Sequence, residues 1–348
     1  MLLAMGILSA LLALVGISIL VIVHESGHYL VAKAFGMRVE TYSIGLGPTL
    51  FKHQPEGSPT TFQVAAIPFL AYVQIAGMNP FEDIDHEDPA LFPNKGLFAR
   101  IMVIFAGPLA NYLFASIVVF FLALSGHFQQ VVAPVEIAEV QEDSAAEQAG
   151  LRVGDQIIEA NGEEIEDFAE LIAATSPRAG ESTEYVVLRD GRRLAPISIT
   201  PRDVDGRGVI GVVPLRGPAY QDLGSAAYAA VLLPYNLTML QIDGIGDMIR
   251  RRTSEGLVGP VGMFKETRRR AEKGASELLQ MLVMLSVALG LFNLLPFPAL
   301  DGGRLLFLVY ELITRRRPNP KVEAAIHTVG ILFLLGVLVL VTFRDSMS

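Results

Sequence analysis

The segment VIVHESGHYL, residues 21–30, brings His24, Glu25 and His28 within five positions of one another. On a helix, residues four apart project from the same face, so His24 and His28 can offer two imidazoles to one metal ion. Glu25 beside them is free to take a proton from water polarised there. These groups close a stretch, residues 2–23, that contains no charged residue. An unpaired charge at membrane depth costs roughly 2.5 kcal/mol or more, and a bound cation that pairs with all three side chains offsets that cost. The chain has no cysteine, so disulfides and thiolate ligands are excluded and any metal must be held by His, Asp or Glu.

A third ligand should also lie at membrane depth. NLLPFPALDGGR, residues 293–304, supplies Asp301 after Pro296 and Pro298, which interrupt an apolar run and free backbone carbonyls. A carboxylate oxygen there suits a zinc site. The competing role for Asp301 is a helix cap at the membrane border. Asp83, Asp85 and Glu87 belong to an acidic, solvated loop, FEDIDHEDP, in which His86 is expected to be exposed, and Glu40 would need a fold-back to reach the histidines.

The elements that must position these groups are mostly apolar. Hydrophobic residues make up 51% of the 348 and charged residues only 18%. Residues 2–23, 101–124 and 278–300 carry no charge and residues 324–343 carry only His327, so four segments reach the roughly 20 residues a bilayer-spanning helix needs. The expected fold is a multi-pass α-helical membrane protein of about four transmembrane helices. A formal net charge of −9 argues against nucleic acid as a partner.

Between the first two spans, TTFQVAAIPFLAYVQIAGM is rich in β-formers but contains Pro68, and is expected to form short strands, a hairpin dipping into the membrane. Residues 126–277 are polar enough to lie outside the membrane. Within them the sequence predicts a short helix after Ser144, a turn at 152–155, the strand QIIEANG, a helix over 168–174 and a hairpin turning at Asp190 and Gly191. SAAEQAGLRVGDQIIEANGEEI resembles a PDZ domain over residues 131–213, whose generic activity is to take a peptide as an added strand. Residues 218–273 hold an amphipathic stretch, 228–249, and two basic clusters, Arg250 to Arg252 and Arg268 to Arg270, expected to lie at the membrane surface. The implied domains are 1–125, 126–215, 216–277 and 278–348.

HESGH in the first span, FAGPLANYLFA with its Gly107-x-x-x-Asn111 pattern in the second, the PDZ insertion, GLVGPVGM before the third span and NLLPFPALDGG within it are together similar to the site-2 intramembrane metalloprotease family. Their order resembles the bacterial four-span branch in its single-PDZ form. The resemblance implies Zn2+ as cofactor, His24, His28 and Asp301 as its ligands, Glu25 as the catalytic base, and Asn293, Pro296 and Pro298 as shaping the substrate site. It further implies a hairpin over residues 61–77 that presents substrate as an extended strand, although PFLAYVQ stands here where relatives often show a Gly-Gly pair. Implied partners are single-pass membrane proteins such as anti-sigma factors, cut after a first cleavage, together with membrane lipids and a peptide ligand for the PDZ domain. The implied location is a bacterial inner membrane.

Two other classes fit parts of the pattern. A membrane-anchored PDZ scaffold with a structural metal would use the histidines but not Glu25, and a metal transporter would be built on internal repeats that this chain does not show. The loop TRRRPNPK, residues 314–321, carries four basic residues and should be cytoplasmic, placing both termini and the PDZ domain outside and the active site near the cytoplasmic side.

Overall fold

A computed structural model describes residues 2–79, 85–131, 133–220, 222–251 and 259–347; Asp83, Arg252 and residues 256–258 of the GLVGPVGM motif lie outside the described residues. The chain divides into two units, one of residues 1–121 and 224–348, the other of residues 122–223.

In the first unit, α1 (Leu2–Ala34) runs unbroken through both the apolar stretch and HESGH. No proline interrupts it, and its serines return their hydroxyls to the helix: Ser18 Oγ donates to the Leu14 carbonyl at 2.8 Å and Ser26 Oγ to that of Ile22 at 2.6 Å. It stops at Gly36, whose φ of +66° costs least without a Cβ.

Two long strands follow, β1 (Val39–His53) and β2 (Thr61–Ile75), paired antiparallel. Val39 lies opposite Ile75 and Ile44 opposite Ala71, while Thr49 lies opposite Ala65 and His53 opposite Phe62. Gly45 and Gly47, at φ +97° and +89°, turn β1 between its two halves. A Cβ on Gly45 would stand 2.8 Å from the Ala65 carbonyl oxygen, so the crossing needs glycine there. The expectation of short strands broken at Pro68 is therefore corrected. The register changes between Ile67, opposite Leu46, and Ala71, opposite Ile44, and β2 runs on through that change. The sheet is fixed to α1 by Tyr42, whose hydroxyl is 2.8 Å from Ser26 Oγ and donates to the Ile22 carbonyl, and whose ring packs edge-on against Tyr29.

Next come α2 (Leu97–Leu124), with Pro108 inside it, and, after the inserted unit, α5 (Leu223–Arg251), α6 (Pro260–Lys273), α7 (Ala275–Leu294), α8 (Asp301–Thr314) and α9 (Pro320–Met347). The inserted unit holds α3 (Ala145–Gln148) and α4 (Phe168–Thr175), capped by the side chains of Ser144 and Asp167. Its seven-stranded sheet runs in the order Val212–Pro214, Val135–Val140, Gln156–Ala160, Thr183–Arg189, Arg192–Arg193, with two short strands beside the third and fourth. Val135, Ile137, Ile157, Tyr185 and Val187 are the fully buried centre of its core. Arg189 grips the buried Asp155 with two nitrogens at 2.7 and 2.8 Å, and Asp155 in turn accepts the Arg152 N–H, closing the turn at 152–155.

Two sequence expectations change. Residues 278–300 do not form one span: α7 stops at Leu294, an irregular turn carries Pro296 and Pro298, and Asp301 opens α8 instead of ending α7. Two prolines in three positions remove two helical donors and clash with the preceding turn, which forces the break. Among the described residues, moreover, five helices are long and apolar enough to cross a membrane, the fifth being residues Leu223–Met248 of α5, within the stretch expected at the surface. α5 contacts other candidate spans, with Thr238 Oγ1 3.0 Å from the Tyr112 hydroxyl of α2 and Gln241 Nε2 donating to the Met284 carbonyl of α7.

Candidate metal centre

α1 and α2 approach each other closely at the level of HESGH. A Cβ on Gly27 would lie 2.2 Å from the Ala106 carbonyl oxygen, so this approach requires a glycine on α1. One residue further along α2, Gly107 does the same for the two imidazoles: its Cβ would lie 2.3 Å from His28 Nε2 and 2.8 Å from His24 Nε2. The absent side chain leaves room in front of both imidazoles.

Asp301 comes to the same point from α8. Its Oδ2 is 3.1 Å from His24 Nε2 and 3.3 Å from His28 Nε2, and the two Nε2 atoms are 3.2 Å apart. A tetrahedral ion with ligands at about 2.0–2.1 Å has ligand–ligand edges of roughly 3.3–3.4 Å, so this triangle is the right size for zinc with a fourth position left over. No other group of three or more ligating side chains converges in this way among the described residues. Asp301 is not a cap: Leu300 holds the N-cap position of α8, and no side-chain cap hydrogen bond forms. Its Oδ2 is buried without a hydrogen-bond partner.

The outer hydrogen bonds decide which atoms face the triangle. His28 Nδ1 is 2.8 Å from the Val103 carbonyl oxygen, which can only accept, so Nδ1 carries the proton and Nε2 presents its lone pair. His24 Nδ1 is 3.1 Å from the Asn111 amide, whose Oδ1 is buried with no partner. Amide orientation is assigned from the hydrogen-bond network, and a half-turn places Oδ1 as acceptor of His24 Nδ1–H. His24 Nε2 is then also a lone pair. Two imidazole lone pairs and a carboxylate oxygen that face one another within 3.3 Å repel unless a cation sits among them.

Glu25 lies beside this triangle on α1, and the Val73 backbone of β2 comes close enough to act on its carboxylate. The sheet edge at residues 71–75 therefore passes next to the proposed base. Asn293 is near the end of α7, its Nδ2 donating to the Leu289 carbonyl at 3.0 Å, and Pro296 lies in the turn between α7 and α8. Pro298 in that turn packs on Gly330 of α9, where a Cβ would meet it at 2.4 Å. The rival ligands stay apart: Glu40 accepts from Gln74 at 2.8 Å, and Asp85, His86 and Glu87 are exposed.

The sequence pattern included Gly107 and Asn111 but gave neither a role. Their functions depend on which face of α2 meets α1, which the spacing within α2 does not reveal.

The sequence profile of peptidase family M50 matches residues 12–337. The zinc metalloprotease RasP of Geobacillus kaustophilus is 27% identical over 403 residues, covering 94% of this chain and 94% of its own. A provisionally named zinc metalloprotease of Clostridium perfringens is 31% identical over 96% of this chain and 97% of its own, and one of Rickettsia conorii is 29% identical over 95% and 96%. Among solved structures, the PDZ domain of an SdrC-like protein from Listeria monocytogenes aligns with 25% of this chain and 93% of its own, at 24% identity and a TM-score of 0.22.

Proposed function

The chain belongs to peptidase family M50, and from that premise we propose that this integral membrane zinc metalloprotease is an endopeptidase that cuts transmembrane segments of other membrane proteins. The observation that carries the reading is the convergence of His24 Nε2, His28 Nε2 and Asp301 Oδ2 beside Glu25, on an unbroken helix long and apolar enough to cross a membrane. In this reading the three converging side chains hold the zinc. When bound, zinc supplies Lewis acidity, polarising a carbonyl and making water easier to deprotonate. Glu25 is the proton carrier: its carboxylate takes a proton from the attacking water and passes it to the leaving amine. His28 and His24 are held in the metal-binding tautomer by the Val103 carbonyl and Asn111.

Substrate handling follows from the sheet. A helical segment hides its carbonyls in its own hydrogen bonds, so it must open before attack. An opened segment can pair as an added strand with residues 71–75, one edge of which pairs with β1 while the Val73 backbone lies beside Glu25, a placement that supports strand addition here. The broken α7–α8 turn with Asn293, Pro296 and Pro298 shapes the opposite wall in this proposal. Signalling proteins of the anti-sigma type, already shortened by a first protease, are the proposed substrates, and the inserted PDZ-like unit is proposed to bind peptide.

The test is cleavage in liposomes. A reconstituted single-span substrate should be cut within its apolar segment, as mapped by mass spectrometry of the products. Activity should disappear with a zinc chelator and return with added zinc. A cut outside the apolar segment, or cleavage indifferent to the chelator, rejects the proposal.

Orientation is tested separately. With both termini and the inserted unit outside, a single cysteine replacing Glu181 should react with an impermeant reagent in intact cells, whereas one replacing Asn319 should react only after permeabilisation. The reverse pattern inverts the topology.

A further inference from the structure

A cavity of about 370 Å³ opens where α2 and α9 begin and beside α8. Its polar wall includes Arg100, Arg304, Arg317, Glu311, Glu323 and His327. Arg100 is matched: two guanidinium nitrogens bind the two Glu311 oxygens at 2.6 and 3.0 Å. Arg317 is only 3.7 Å from Glu311 Oε1, an oxygen already taken by Arg100.

The other donors have no acceptor. Arg304 is half-buried and, among the described residues, makes no hydrogen bond and no ion pair within 4.0 Å; Asp301 and Glu323 act on it only through space. His327 receives the Ala299 N–H on Nδ1 at 3.0 Å. Because that nitrogen accepts, the ring is neutral and its proton is on Nε2, and Nε2 is buried without a partner. A guanidinium and an imidazole N–H that both lack acceptors thus line one cavity. Among the described residues, three arginines there face two glutamates, an excess of one positive charge. A buried unpaired donor of this kind costs free energy unless an acceptor enters.

We propose that this cavity is a phosphate-binding site, with Arg304, Arg317 and the Nε2–H of His327 as donors to the phosphate oxygens. Guanidinium groups match phosphate geometry with paired N–H donors. The first turns of α2 and α9, both candidate spans, place the cavity at the level of lipid headgroups, and the basic run Arg315 to Arg317 adjoins it. The same oxyanion could be supplied by an anionic phospholipid or by free phosphate. Arg304 is one helical turn from Asp301 on α8, so an anion there also steadies the turn that carries the third metal-binding side chain.

Full-length protein in nanodiscs tests this. One arm uses phosphatidylcholine discs with added phosphatidylglycerol, the other phosphatidylcholine discs with added inorganic phosphate, and the thermal midpoint is followed against anion concentration. A rise in the first arm alone identifies the lipid headgroup, and a rise in both identifies a small-anion site. Either supports the proposal only if Arg304→Gln and Arg317→Gln each weaken the apparent affinity by about tenfold, the loss of one charge-assisted hydrogen bond. Should Arg304→Gln not fold, Arg317→Gln carries the comparison. No rise in either arm, which would leave Glu323 to answer Arg304, overturns the proposal, as does binding unchanged in the variants. Zinc content measured in the same samples reports on the metal centre independently.

Discussion

Gly107→Ala is expected to strip the protein of zinc while leaving its fold in place. The added methyl would stand 2.3 Å from His28 Nε2 and 2.8 Å from His24 Nε2, distances no carbon can hold. The nearest atoms belong to side-chain tips and not to backbone, so the imidazoles can swing aside at little cost to helix packing. Swinging aside takes two of three ligands out of the triangle. Zinc affinity should fall on the order of a hundredfold or more, beyond the tenfold to hundredfold typical of losing an outer partner such as Asn111. Metal analysis of purified protein and a thermal melt of the zinc-free form check both halves. Stoichiometric zinc in the variant would show that the ion is not held where these side chains converge.

Glu25→Gln should separate catalysis from metal binding. Glutamine keeps the shape but cannot take a proton at neutral pH. Loss of a positioned acid–base group costs about a hundredfold to ten-thousandfold in rate. Cleavage of the reconstituted substrate should fall by that much with zinc still near one per chain. Zinc lost together with activity would make Glu25 a ligand, and activity retained would remove it from the mechanism.

The side chains that converge were more legible in the sequence than the architecture that brings them together. HESGH could be interpreted because two histidines four apart on any helix share a face, and that geometry is local. Asp301 could be nominated because paired prolines break an apolar run wherever it lies. In the inserted unit, Ser144 and the Asp190–Gly191 turn were equally local signals, and the helix and hairpin stand where those residues put them. What escaped was non-local. The Arg100–Glu311 pair joins residues 211 positions apart, and no periodicity announces it. α8 was missed because its amphipathic stretch is short and sits between two stronger apolar signals. α5 was assigned to the surface because Asp243 and Asp247 dilute its apolar character, yet polar contacts at Thr238 and Gln241 give it neighbours among the other long helices.

The order of the proposed zinc-holding residues along the chain has a consequence in time. His24 and His28 emerge early in synthesis, but Asp301 follows only after both the β1–β2 sheet and the whole inserted unit have been made. A growing chain, or one truncated before α8, carries the base and two imidazoles without the carboxylate that completes the triangle. In the proposed mechanism such a fragment can sit among the newly inserted proteins of the membrane without being able to cut them, so the order of synthesis itself would keep the protease latent.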